Sequence, residues 1–243
     1  MEKHGNQDLV TGVTIPALAS GQPVAICLRR SARARRFSLR VSRIDATVTL
    51  TLPEGAAERD AMAFLKREEA WLRRTLAGLE HRRGGMLAYG DTLPVEGVPH
   101  VIAPGTGRLV AQVSGRLLVP GGHAPGPAVA VFLRLRARER LTEATLRHAA
   151  RLGRGFSRIT LRDPRSRWGS CSGAGALMYS WRLIMAPPEV LDYVAAHEVA
   201  HLVEMNHGPA FWALVGDLCP GWRAGRIWLR GEGATLHRFR FGD

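Results

Sequence analysis

The stretch Ala196–His207, read AHEVAHLVEMNH, constrains this chain more than any other. On a helix turning about 100° per residue, His201 lies about 40° from His197, and Glu198 about 100° from it. Two imidazoles therefore leave one face a turn apart with a carboxylate at their flank. Val199, Leu202 and Val203 occupy the other face, where they can pack inward. Buried neutral histidines need a partner for every ring nitrogen. A zinc ion held by His197 and His201 supplies one, and the His-Glu-x-x-His spacing puts Glu198 beside the metal as a general base. The competing interpretation is a surface helix with incidental histidines, or histidines satisfied within a core network.

A third ligand requires the helix to stop. His207 follows His201 by six residues, which on a continuous helix points it about 240° away. Asn206 tolerates the left-handed conformation, Gly208 accepts any, and Pro209 suits the first turn of a new helix. Residues Met205–Pro209 therefore read as a turn that returns His207 to the metal. Glu204, on the histidine stripe, is the rival third ligand or else a partner that orients a ligand. Asp217 and Glu232 are further carboxylate candidates. The expected cofactor is one Zn2+ per chain.

At 243 residues the chain can bury a substantial core. The N-terminal MEKHGNQDLV lacks the basic-then-apolar layout of a signal peptide, and no apolar run reaches the roughly 18 residues of a membrane span. Cys27, Cys171 and Cys219 are three and far apart, so a disulfide framework is not expected and a cytoplasmic setting is. The formal net charge is +13, carried mainly by arginine. The densest stretch, RRSARARRFSLRVSR over residues 29–43, offers Arg29, Arg30, Arg33, Arg35 and Arg36 as candidate anion-binding residues. Nucleotides or nucleic acid are therefore candidate partners beside a peptide or protein substrate, with no membrane partner. Aromatic residues hardly interleave with this run, and a solvated basic surface explains it equally well.

Along the chain, residues 1–22 read as a loose leader. Strands are expected at 24–28, 37–41 and 47–52, then a helix over 57–79, and short hairpin strands over 86–119. PGGHAPGP at 120–127 reads as a linker between a β-rich region (23–119) and a second domain (128–243). That second domain opens on a helix from about 128 to 152 ended by Gly153. Strands follow at 156–161 and 176–185, and then the histidine helix, begun by Pro187-Pro188. Phe211, Val215 and Leu218 read as core; His100, His123, His148 and His237 read as surface. Strands followed by helices predict an α+β fold, with an N-terminal β-rich region followed by a helical and small-sheet domain.

The motif His197-Glu198-x-x-His201 resembles the zincin metallopeptidases, which implies that the helical and small-sheet domain is a zincin-like catalytic domain. The longer string from Asp192 through Leu202, with Met205-Asn206-His207 and Phe211-Trp212, resembles the YgjP-like metal-dependent hydrolases, related to the SprT-like and WLM metallopeptidases. So do Arg167-Trp168-Gly169-Ser170-Cys171-Ser172, the Trp181-Arg182-Leu183-Ile184 segment, the N-terminal Arg-Arg-Phe-Ser-Leu-Arg-Val and Trp71, over roughly residues 24–230. One position departs: the family usually carries Asn before the Trp-Arg-Leu segment, and this chain has Ser180. The resemblance implies a zinc hydrolase.

These residues predict a metallopeptidase in which zinc-activated water attacks a carbonyl and Glu198 moves the proton. Arg167, Trp168 and Gly169 are candidates for contacting substrate or a developing oxyanion. Tyr193, about 40° from His197 on the metal side, is another. The 176–185 strand is a candidate to pair with an extended peptide if it lies at a sheet edge. Two alternatives stand beside this: hydrolysis of a nucleotide or phosphoanhydride at the same metal, and a non-enzymatic zinc-stabilised module that binds nucleic acid.

Overall fold

The computed structural model describes residues 10–15, 24–42, 47–80, 85–122 and 124–242. The chain divides into two compact units, residues 1–83 and 84–243. In the first, strands β1 (Val10–Ile15), β2 (Val24–Ser31), β3 (Ser38–Val41) and β4 (Val48–Pro53) form a sheet ordered β1-β2-β4-β3. Alternation in β4 buries Val48, Leu50 and Leu52 on one face beside Ile26 and Leu28 of β2. Helix α1 (Glu58–Glu80) completes that core with Ala61, Leu65 and Leu72, on the helical spacing the sequence predicts. β1 lies inside the stretch expected to be a loose leader. Its β-branched residues suit a strand, and it pairs with β2 from Val10 opposite Arg29 to Ile15 opposite Val24. The rest of that leader lies outside the described residues.

The second unit opens with β5 (Thr92–Val95), β6 (Val98–Gly105), β7 (Ala111–Val113) and β8 (Arg116–Pro120), in the order β5-β6-β8-β7. The expected hairpins close on two-residue turns, Glu96-Gly97 and Ser114-Gly115, with positive φ at both positions (51° and 78°, 45° and 74°). Such turns match the twist of the paired strands. Leu93, Val95, Ile102, Leu117 and Val119 share one apolar core with helix α2 (Pro125–Leu152). Residues 86–120 thus belong with the helical part of the chain. The compact units divide at 83/84, whereas the sequence suggested 120–127; the Pro-Gly-rich stretch there is a short connection from β8 into α2.

Helix α2 buries Val129, Leu133, Ala137, Leu141, Ala144 and His148 at intervals of three and four. It ends where the Gly153 amide, at φ 64°, bonds the carbonyls of Ala149 and Ala150. A second small sheet has the order β10-β11-β9, from β9 (Arg158–Arg162), β10 (Gly169–Cys171) and β11 (Ala176–Ser180). The strand expected over 176–185 stops at Ser180. Residues Trp181–Met185 form a wholly buried 3-10 turn, and a continuous apolar run does not reveal such a change by its periodicity. β11 is the middle strand, so both its edges are taken and it has no place for an incoming peptide. Helices α3 (Pro188–Ala200), α4 (Pro209–Leu218) and α5 (Trp222–Gly231) follow, with a closing 3-10 turn at Gly233–Arg238. Arg182 fastens that turn. It donates two bonds to Asp163, at 2.7 and 2.9 Å, and from Nη1 it reaches the carbonyls of Leu236 and Phe239.

Phe211, Val215 and Leu218 are core, as expected. Two histidines assigned to the surface are buried, each holding a polar partner that its neighbours along the chain do not announce. His148 bonds Asp192 across α2 and α3 at 2.8 Å. Nδ1 of His100 donates to the Val98 carbonyl, and its Nε2 faces the Gln112 amide. His237 is half-buried against Trp168, and His123 lies outside the described residues. No described helix is long and apolar enough to cross a membrane.

Candidate metal centre

Helix α3 is apolar nearly all round and runs through the core, with Val190, Val194, Ala195, Ala196, Val199 and Ala200 buried. His197 and Glu198 sit in its last turn. The helix stops at Ala200, earlier than the break expected at residues 205–209. The amides of Leu202, Val203 and Glu204 then turn back to the carbonyls of Val199 and Ala200. Leu202 and Val203 therefore lie beyond the helix, and Val203 is 40% exposed instead of facing the core. Gly208 caps α4 in extended backbone and Pro209 begins it, as the sequence suggests.

This path brings His207 back. One ligating atom from each of His197, His201 and His207 lies within 4.8 Å of the others, and these three form the candidate metal cluster among the described residues. Nε2 of His207 is 3.1 Å from Nε2 of His197. Nitrogens bound to one tetrahedral zinc are about 3.3 Å apart, so the pair fits. Nδ1 of His201 faces the Glu204 carbonyl at 2.9 Å, and donating there leaves Nε2 with its lone pair for a metal. Glu204 thus meets the site through its backbone; its carboxylate, with those of Asp217 and Glu232, is outside the cluster. Burial, then the charges of His201, His207 and Arg226, push the His197 pKa down to about 3. Burial also lowers that of His201. The His197 ring therefore stays in the unprotonated form that binds cations.

Phe211, read from sequence only as core, packs against all three imidazoles, with ring centroids 4.8, 4.4 and 4.7 Å from His197, His201 and His207. Trp212 adds contacts of 5.8 and 5.9 Å to His197 and His207. The sequence marks both aromatics only as part of the family-like string and by their place in the first turn after Pro209. Tyr193 is buried with its ring centroid 5.9 Å from that of His197.

The Glu198 carboxylate is not among the cluster's donor atoms, and its side chain packs against β10 at Gly169. A β-carbon at Gly169 would sit 2.6 Å from Cγ of Glu198, so any side chain there must displace that of Glu198. Burial pushes the Glu198 carboxyl up to about 8, with the positive charge of exposed Arg167 acting in the opposite direction. Trp168 turns its ring toward His237 and Gly233, and its carbonyl accepts the Ser180 amide at 2.8 Å. The Ser180 hydroxyl is buried with no hydrogen-bond partner among the described residues, so the place usually held by Asn makes no side-chain polar contact here. Arg29, Arg33, Arg35 and Arg36 are exposed in the first unit, whereas Arg30 is committed to the carbonyls of Glu54 and Ala56 at 2.8 and 2.9 Å.

Two tests arise here. Gly169→Ala should displace the Glu198 carboxylate, lowering kcat/KM on the order of 10²-fold with metal content kept; steady-state kinetics and metal analysis check this. The second concerns pH in the metal-free protein. Between 4.5 and about 8, folded Glu198 keeps a proton that the unfolded chain has released, so its contribution to stability falls as pH rises. His197 and His237, depressed to about 3 and about 4, act oppositely but only up to about 6.5. From 6.5 to 8 the Glu198 contribution remains, and stability should fall by roughly 1.4 kcal/mol per pH unit. Denaturant titrations in chelator should show this slope, and Glu198→Gln should flatten it.

No curated protein matches the chain. The crystal structure of the metallopeptidase zymogen of Pyrococcus abyssi abylysin is 23% identical, covers 38% of this chain and 92% of its own, and aligns with a TM-score of 0.34, too low to bear a structural argument. The whole sequence speaks more strongly: the family profile of the YgjP-like metallopeptidase domain matches residues 35–232, a span that includes every residue gathered around the three imidazoles, and this chain belongs to that family.

Proposed function

We propose that this metallopeptidase-family protein cleaves peptide bonds with one zinc ion held by His197, His201 and His207, and with Glu198 as its general base. The observation that carries the reading is the convergence of three imidazoles, with the buried carboxyl of Glu198 next to His197 in the chain and not among the converging donors. Three nitrogen donors with an open fourth position are the donor set of a catalytic zinc site, since structural sites are closed by four protein ligands. Bound there, zinc polarises the scissile carbonyl and lowers the pKa of a water toward about 7.

The chain's own residues do the rest. Glu198 takes a proton onto its carboxylate during attack and returns it to the leaving amine. A carboxyl whose surroundings favour the protonated form is suited to that second step, and Gly169 gives it room. Phe211 fixes the planes of the three imidazoles, and the Glu204 carbonyl sets the His201 tautomer. β10, paired on one side only, offers an edge for an extended peptide, the role first expected of the 176–185 strand.

The exposed arginines of the first unit keep the nucleotide alternative open to direct test. Zinc-loaded protein should be screened side by side against a diverse peptide mixture and nucleoside triphosphates. Zinc-dependent appearance of new peptide termini is the expected result. Hydrolysis of nucleotides with the peptides left intact would replace the peptidase reading.

A further inference from the structure

Helix α5 brings a second kind of chemistry to the metal centre. Its Gly225 faces Tyr193 of α3, where a β-carbon would lie 2.9 Å from that of Tyr193, so the two helices approach closely. The next residue, Arg226, is therefore carried to the aromatic wall of the site. Its guanidinium carbon lies 4.6 Å from the centre of the Trp212 ring and 5.8 Å from that of Trp222, and those two rings stack 4.5 Å apart. The same Trp212 ring contacts His197 and His207. Arg226 is half-buried, and among the described residues it has no carboxylate partner; its contacts are with the two indoles. Its charge is felt at His197.

An arginine held by aromatic rings is already ordered, and stacking uses its plane while leaving its edge N–H donors for a planar anion. A carboxylate matches that fork in a bidentate pair. Other arginines of this unit are already matched: Arg140 with Glu96, Arg147 with Asp192, Arg182 with Asp163.

We propose that Arg226 makes the site selective for peptides carrying a carboxylate close to the scissile bond. Two sources present that group, an Asp or Glu side chain and the free C-terminus of a short peptide. The inference rests on the peptidase reading, but part of its test does not depend on turnover.

Matched peptides carrying Glu or Gln at each position flanking the cleaved bond, with free or amidated C-termini, separate the two sources. Hydrogen bonds to charged groups predict a Glu-over-Gln, or acid-over-amide, ratio in kcat/KM of about 10-fold or more. Arg226→Ala should bring that ratio near one, Arg226→Glu should invert it in favour of Lys peptides, and Arg223→Ala, on the exposed face of the same helix, should leave it unchanged. In parallel, zinc-loaded Glu198→Gln protein should bind the favoured acidic peptide at least about 10-fold tighter than its amide twin by calorimetry, and Arg226→Ala added to it should abolish the difference. A ratio near one in the parent, or one that survives Arg226→Ala in both assays, overturns the proposal. Acid-selective binding without cleavage would sustain the Arg226 assignment and count against the peptidase reading instead.

Discussion

Glu198→Gln should keep about one zinc per chain and lower turnover on the order of 10²-fold or more. The substitution preserves size and removes the oxygen that accepts the proton. No ligand is lost, because the cluster consists of His197, His201 and His207. In zinc-loaded protein the thermal midpoint should hold or rise slightly, since an amide replaces a carboxyl that is buried against Gly169. Kinetics on a cleaved peptide, with metal analysis of the same sample, check both halves. Loss of zinc together with activity would make Glu198 a ligand or a structural partner, and undiminished turnover would remove it from the mechanism.

The second large effect is removal of the metal. His201→Ala deletes both a donor nitrogen and the bond to the Glu204 carbonyl, so zinc should fall from about one per chain to none detected, with activity abolished. Chelation of the parent should lower its stability as well. A ligand at 1,000 times its Kd stabilises the folded state by about 4 kcal/mol, which corresponds to a fall in Tm of roughly 10 °C for a unit of this size. Calorimetry with and without chelator measures it. An unchanged Tm in chelator would mean that the histidines bind metal weakly or not at all.

The parts of this molecule legible in the sequence are those fixed by neighbours along the chain. Spacing places His197 and His201 together, Gly208-Pro209 starts α4, and Glu96-Gly97 with Ser114-Gly115 announce two hairpins. The hidden parts are settled by tertiary contact. Apolar residues continue past Ala200 at Leu202 and Val203 with nothing that breaks a helix, so the early end of α3 is invisible locally. The buried 3-10 turn after Ser180 has the same cause. His148 looks solitary until α2 and α3 pack and deliver Asp192, forty-four residues away. Phe211 reads as core and Arg226 carries no signal along the chain; only packing puts one against three imidazoles and the other on Trp212. The resemblance to YgjP-like proteins, by contrast, was readable because it rests on short strings of residues, and the family match covers residues 35–232.

The central claim is the three-histidine zinc site, and crystallographic anomalous scattering on either side of the zinc edge tests it most directly. The account predicts one strong peak per chain that vanishes below the edge, about 2.0–2.1 Å from a ring nitrogen of each of His197, His201 and His207, with the Glu198 carboxylate outside ligand distance. A peak coordinated by Glu204 or another carboxylate with the His207 ring turned away, or no peak in zinc-loaded crystals, would contradict it.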